Sequence, residues 1–278
     1  MLSVRLQKTL TGLCLVGLIA LFFPVNATAA LVFSASPRSD LGNNDKALQS
    51  LVSYLEEVLG EPVVFDRPEN WQDYTRKMRG GKYDIVFDAP HFSSWRIKNI
   101  DHEPVVRVPG TLGYKLVVNR ISEGLNSISD LVRVQICAPQ SPDLSTMTVY
   151  SMFTNPVYMP QIKEIKGDSK ALYAALRKGE CGAAVISNDE YTRIVPSEKR
   201  EVKVVAESDP VPAYTITISP RLLGKKMLMT RMLVSAQGVR AAADVMMSLG
   251  KRDQSLIPVD KRDYQDLDQL LSDVILGW

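Results

Sequence analysis

The most restrictive feature of this sequence is a punctuated alternation of short apolar runs and helix-period stripes. It occurs twice. An apolar run at 31–35 ends at Pro37 and Arg38. The next segment, which Asn43, Asn44 or Asp45 can cap, carries Leu48, Leu51, Val52, Leu55 and Leu59 at helical spacing, and Gly60 stops it. A run at 62–65, a helical segment at 71–79 closed by Gly80 and Gly81, and a buried run at 83–87 complete a strand–helix–strand–helix–strand series. That spacing predicts right-handed crossovers and a parallel sheet. The second series has strands at 114–119, 132–138, 161–165 and 182–187. Its helices start near Ser145 and at Asp168 or Ser169, and Gly179 closes the latter. A strand at 214–219 and helices at 222–235, 239–249 and 264–276 follow, with Met227, Leu228, Met232, Met246 and Met247 expected in the core. The pattern predicts an α/β chain of two lobes, each a mainly parallel sheet flanked by helices. Residues 30–113 and 214–278 form the first lobe and 114–213 the second.

The start of the chain is of a different kind. Arg5 and Lys8 precede an apolar stretch at 10–25, and Ala27-Thr28-Ala29 follows it, the pattern of a secretory signal peptide over 1–29. Export to the periplasm is the expectation. Without Arg5 and Lys8 the 33 basic residues become 31, against 31 acidic ones, and no basic run is interleaved with aromatic residues. Nucleic acid is therefore not an expected partner. Cys137 and Cys181 stay with the exported chain. If each lies on a parallel strand, one near its exit and one near its entry, about five residues of rise, or ~16 Å, separate them. A disulfide needs Cα atoms within ~7 Å, so both are expected to be free and buried.

Parallel sheets of this kind bind ligands beyond the C-terminal ends of their strands. That places candidate residues at 34–38, 88–92, 139–148 and 187–191. Ser145 and Thr146 open a helix, where unpaired amides, hydroxyls and the helix dipole suit an anion. The same residue types also serve as plain caps. In a second loop His91 can donate to an oxyanion and Asp88 can accept from an amine, or the two can form an ordinary turn. Asn188 is placed to cap the helix after 182–187. Ser36, Arg38, Tyr114 and Tyr214 lie near the proposed cleft, and Arg96 reads as a surface or lobe-packing residue. The chain has two histidines and none of the usual hydrolase, nucleotide-loop or zinc motifs. No cofactor or metal is expected.

From Leu31 onward the chain resembles the periplasmic solute-binding proteins of phosphate, phosphite and phosphonate importers. The resemblance runs through Ser36-Pro37-Arg38, residues 51–64, residues 81–90, Ser129-Asp130-Leu131, Ser145-Thr146 and residues 174–184. It implies a type II periplasmic-binding fold with two crossover segments and a small-molecule anion clamped between the lobes. Ser145 and Thr146 would match the family's hydroxyl-bearing site. Met147 and Thr148 stand where the family usually continues with serine and glycine, and Gly182 stands where it commonly has an acidic residue. The expected function is reversible capture of an oxyanion by Ser36, Asp88, His91, Tyr114, Ser145, Thr146 and Asn188. The chain would act as a monomer that hands its solute to a membrane ABC permease. The alternatives are a receptor signalling to a membrane sensor kinase, and a secreted enzyme.

Overall fold

The computed structural model describes residues 29–37, 45–153 and 155–272. The expected signal peptide, Arg38, the candidate caps Asn43 and Asn44, and the tail beyond 272 lie outside the described residues.

The first series folds as its periodicity predicts. Strand β1 (Leu31–Ala35) leads to helix α1 (Asp45–Leu59), which buries Leu48, Leu51, Val52, Leu55 and Leu59. Each such leucine contributes about 1.5–3 kcal/mol of burial. Gly60, at φ +66°, turns the chain out of the helix. Strand β2 (Val63–Phe65) and helix α2 (Trp71–Arg79) follow, with Asn70 capping α2 by accepting from the Asp73 amide at 2.9 Å. Strand β3 (Ile85–Asp88) is wholly buried, and helix α3 (Pro90–Asn99) begins on a proline, where no amide partner is needed. Strand β4 (Glu103–Arg107) was not legible in the sequence because Pro104 interrupts it. The proline sits where the pairing register shifts, a position that needs no ladder donor.

A short strand β5 (Thr111–Leu112) crosses to the second series. There lie β6 (Tyr114–Asn119), β7 (Gln135–Ala138), α4 (Leu144–Ser151), β8 (Gln161–Glu164), α5 (Ser169–Arg177), β9 (Ala183–Ser187), α6 (Asn188–Arg193), α7 (Pro196–Lys199) and β10 (Val202–Glu207). Asp168 caps α5, as one of the two expected residues. Strand β11 (Val211–Pro212) returns and pairs antiparallel with β5. The chain closes with β12 (Thr215–Ile218), α8 (Lys226–Leu233), α9 (Ala236–Ser248), β13 (Ile257–Pro258) and α10 (Gln269–Ser272).

The result is two lobes, each a sheet flanked by helices. One sheet runs β13-β4-β12-β3-β1-β2 and the other β10-β6-β9-β7-β8, with the β11-β5 ribbon between them. Both sheets are mixed rather than mainly parallel. Their βαβ cores are parallel, but β12 lies antiparallel to β3 and β4, and β6 lies antiparallel to β9 and β10. The antiparallel strands β12 and β6 are those that directly follow a crossover, so they enter their sheets from the β5–β11 ribbon.

Three further expectations are corrected. Cys137 and Cys181 form a disulfide, with Cα atoms 5.7 Å apart. β7 and β9 are neighbours, with Ile136 beside Ala183 and Cys137 beside Ala184. Cys181 is not a strand residue. It lies in the turn after Gly179 (φ +74°), and the Gly182 amide donates to the Gln135 carbonyl at 2.9 Å. The chain therefore doubles back beside β7 instead of extending away from it.

Arg96, expected at the surface or between lobes, is fully buried inside the first lobe. Its Nη1 donates to Asp88 Oδ2 at 2.6 Å, its Nη2 donates to the Tyr74 hydroxyl, and that hydroxyl donates to Asp88. Burial pushes the Tyr74 pKa well up. Burial opposes the Arg96 charge, but Tyr74 and Asp88 outweigh it and hold the guanidinium's pKa raised. The expected methionine core is also displaced. Met246 is buried, but Met227, Leu228 and Met247 are exposed, and α8 buries Met229 and Leu233 instead. Residues 220–225 form a tighter 3₁₀ turn, so the helical phase assumed from 222 is wrong.

His102 is buried beside Thr217, 3.3 Å from its hydroxyl. Burial, then the Arg96 charge, lowers its pKa from 6.5 to about 3. The unfolded chain takes up this proton below about pH 6.5, whereas the folded chain resists it until about 3. Stability is therefore lost as pH falls through that window, by up to about 1.4 kcal/mol per pH unit from this group. Urea titrations at stepped pH should show a shallower acid slope for His102→Gln than for the parent. Equal slopes would contradict the assignment.

Candidate functional site

A cleft of about 350 Å³ opens where the lobes meet the β5–β11 ribbon. Its floor is the crossover pair, Thr111 to Tyr114 on one strand and Ala213 and Tyr214 on the other. Bonds donated by backbone amides hold this floor. The Val108 amide donates to the Tyr214 carbonyl at 2.8 Å, and the Tyr114 amide donates to Ser208 Oγ at 2.9 Å. The second lobe supplies one wall from three helix starts: Asp143 and Ser145 at α4, Asp168 and Ser169 at α5, and Ser187, Asp189 and Glu190 at α6. Each start follows a parallel strand of the second sheet, so three positive dipole ends converge on one space. The first lobe closes the other side with residues 247–251, the turn that ends α9.

Each helix start carries its own acceptor. Asp143 Oδ1 accepts from the Ser145 amide at 2.9 Å and from Ser145 Oγ at 2.6 Å. Asp168 Oδ1 accepts from the Lys170 and Ala171 amides at 3.0 and 3.2 Å. Ser187, not Asn188, caps α6 by accepting from the Glu190 amide at 3.2 Å. The helix begins one residue earlier than expected, which puts Asn188 inside it. The Ser187 amide in turn donates to Ser169 Oγ at 3.2 Å, which ties the α5 and α6 starts together. Gly167, at φ +124°, lets the chain enter α5 this closely. A Cβ there would lie 2.7 Å from the Ala171 methyl.

The charge lining the cleft is mixed. Lys251 of the first lobe pairs with Asp189 of the second at 3.1 Å, and Arg193 lies 3.6 Å from Glu190. Among the described residues no cation pairs with Asp143 or Asp168, so the carboxylates outnumber the cations. No group of three His, Cys, Asp or Glu side chains among the described residues is arranged to hold a metal ion. No helix among them is long and apolar enough to cross a membrane.

The residues singled out from the sequence separate into two groups. Tyr114 and Ser145 line the cleft, as does Tyr214. Ser36, Asp88, His91, Thr146 and Asn188 do not. Ser36 is buried at the end of β1, and Asp88 is engaged by Arg96 and Tyr74. Thr146 is fully buried, and its Oγ1 donates to the Pro139 carbonyl at 2.7 Å. His91 is buried, with Nε2 3.0 Å from the Pro142 carbonyl, a contact between the two lobes. The Asn188 amide donates to the Gly113 carbonyl at 2.9 Å, and its side chain packs so closely on Gly113 that a Cβ there would lie 2.5 Å away.

Sequence reasoning included Asp143 only as part of the 139–148 loop and passed over Asp168 and Ser169 as cleft residues, although these two obey the same strand-end rule. Lys251 had no such signal, because the end of α9 reaches the cleft only through the tertiary fold.

The family of periplasmic substrate-binding proteins of phosphonate ABC transporters matches residues 33–264. The chain belongs to this family. A member of it is a solute receptor for an ABC importer rather than an enzyme. Among solved structures, PhnD1 from Prochlorococcus marinus in complex with methylphosphonate is similar, with a TM-score of 0.66 at 13% identity over 88% of this chain and 99% of that one. A Xanthomonas citri protein bound to ATP gives 0.65 at 14% identity, over 88% and 97%. A binding protein component of an ABC phosphonate transporter from Pseudomonas aeruginosa gives 0.59 at 15%, over 87% and 85%. At these identities the likeness is one of fold. Comparison with curated protein sequences finds no match. At Gly182 a Cβ would lie 2.5 Å from Val134 Cγ1, so the Val134 side chain occupies the space that a larger residue there would need.

Proposed function

We propose that this receptor works in the periplasm and captures a small oxyanion of the phosphonate, phosphate or phosphite type for delivery to an ABC permease. Residues 30–113 and 214–278 move as one lobe and 114–213 as the other. The hinge is the β5–β11 ribbon, where both crossovers pair through short strands at 111–112 and 211–212. The observation that carries the reading is the convergence of the α4, α5 and α6 starts on a cleft floored by that hinge. Ser145 is the contact from the second lobe, and Tyr114 and Tyr214 shape the floor. His91 stands at the lobe junction and reports closure through its contact with Pro142.

The test is a thermal-shift panel of phosphorus and sulfur oxyanions on the exported form of the protein. A true solute at 100 times its Kd adds about 2.7 kcal/mol of stability. Ser145→Ala should weaken that solute roughly tenfold, the loss of one hydrogen bond to a charged group. No shift with any oxyanion would remove the oxyanion reading, and an unchanged affinity in Ser145→Ala would remove Ser145 from the site.

A further inference from the structure

We infer that Asp143 sets the charge state of the solute that the cleft admits, excluding dianions in favour of monoanions. The inference rests on the oxyanion reading and adds selectivity to it. The amide and the hydroxyl of Ser145 are both taken by one carboxylate oxygen of Asp143, at 2.9 and 2.6 Å. Neighbouring donors are engaged by the same loop. Thr146 Oγ1 donates to the Pro139 carbonyl at 2.7 Å, and His91 Nε2 lies 3.0 Å from the Pro142 carbonyl. The loop 139–143 thus does for the start of α4 what a bound anion would do, with a charge fixed in the chain.

Asp143 is only partly buried and lines the cleft. The two cations of the cleft are engaged elsewhere, Lys251 by Asp189 and Arg193 by Glu190. A solute that reaches the Ser145 donors must displace this carboxylate or sit beside it. Coulomb repulsion scales with the solute's charge, so a dianion meets about twice the opposition that a monoanion does. The α4 dipole favours both, but it is already partly neutralised by Asp143 itself.

Asp143→Asn tests this with little disturbance, because asparagine caps a helix as well as aspartate does and differs only in charge. Asp143→Ser is a second neutral cap of different size. Calorimetric titrations would use dimethylphosphinate, which carries one charge, and methylphosphonate in mildly alkaline buffer, where it carries two. The parent should prefer dimethylphosphinate. Both variants should bind the dianion at least about tenfold more tightly than the parent does, with a smaller gain for the monoanion. An unchanged ratio of the two affinities in proteins that do bind would overturn the selectivity and leave the oxyanion reading standing. Binding of neither probe by any of the three proteins would overturn both.

Discussion

Arg96→Met is expected to cost roughly 3–5 kcal/mol of folding stability, because it strands the Asp88 carboxylate in a core without its partner. The residue is fully buried, its guanidinium bonds both Asp88 and Tyr74, and Asp88 also accepts from the Ala89 amide that leads into α3. Methionine fills much of the volume but supplies no donor. The double variant Arg96→Met, Asp88→Asn should recover part of the loss, since an amide is cheaper to bury than an unpaired charge. A chemical-denaturation cycle over the four proteins checks this. A single-variant loss below about 1 kcal/mol would place Arg96 among ordinary surface ion pairs and contradict the buried network.

The second large effect concerns the disulfide. Cys137 and Cys181 are 44 residues apart. Closing a loop of that length removes enough denatured-chain entropy to stabilise the fold by roughly 4 kcal/mol. The bond holds the turn before β9 to β7, in the sheet whose strand ends form the cleft. The double variant Cys137→Ala, Cys181→Ala should melt about 10 °C lower than the oxidised parent, given the usual shift of 2–4 °C per kcal/mol for a chain of this size. Reductant should lower the parent towards the variant and leave the variant unmoved. Equal melting temperatures for parent and variant would contradict a bonded pair. A disulfide also fits a protein that folds in an oxidising compartment.

These two features mark where sequence reading stops. The α1 stripe was legible because five apolar residues at helical spacing leave one choice of face. Of the strand-end loops named from the sequence, 139–148 and 187–191 line the cleft, whereas the described residues of 34–38 and 88–92 do not. Arg96 was not legible. On a polar helix an arginine reads as solvated, and only the docking of α3 against the end of β3 makes its partner available. The disulfide was missed for a related reason. A register was assumed from extended strands, whereas the turn before β9 brings Cys181 back alongside Cys137. Of the residues expected to hold the solute, Ser145 and Tyr114 line the cleft, whereas Asp88 and Thr146 bond within the chain and Ser36 is buried at the end of β1. Whether a hydroxyl or carboxylate serves a guest or its own fold depends on neighbours from distant segments. Lys251, more than 60 residues from Asp189, is the clearest instance.

The central claim is that two lobes close on a solute about the β5–β11 hinge. The most direct test is a distance between them. Spin labels at Val64→Cys in the first lobe and Ile121→Cys in the second occupy exposed positions, and in a protein prepared without residues 1–29, which include Cys14, the remaining Cys137 and Cys181 are bonded to each other and stay unlabelled. Pulsed electron resonance should give a distance distribution that moves to a single narrow population when the solute selected by the thermal-shift panel is added to saturation. A distribution that stays the same with and without bound solute would contradict closure and the account built on it.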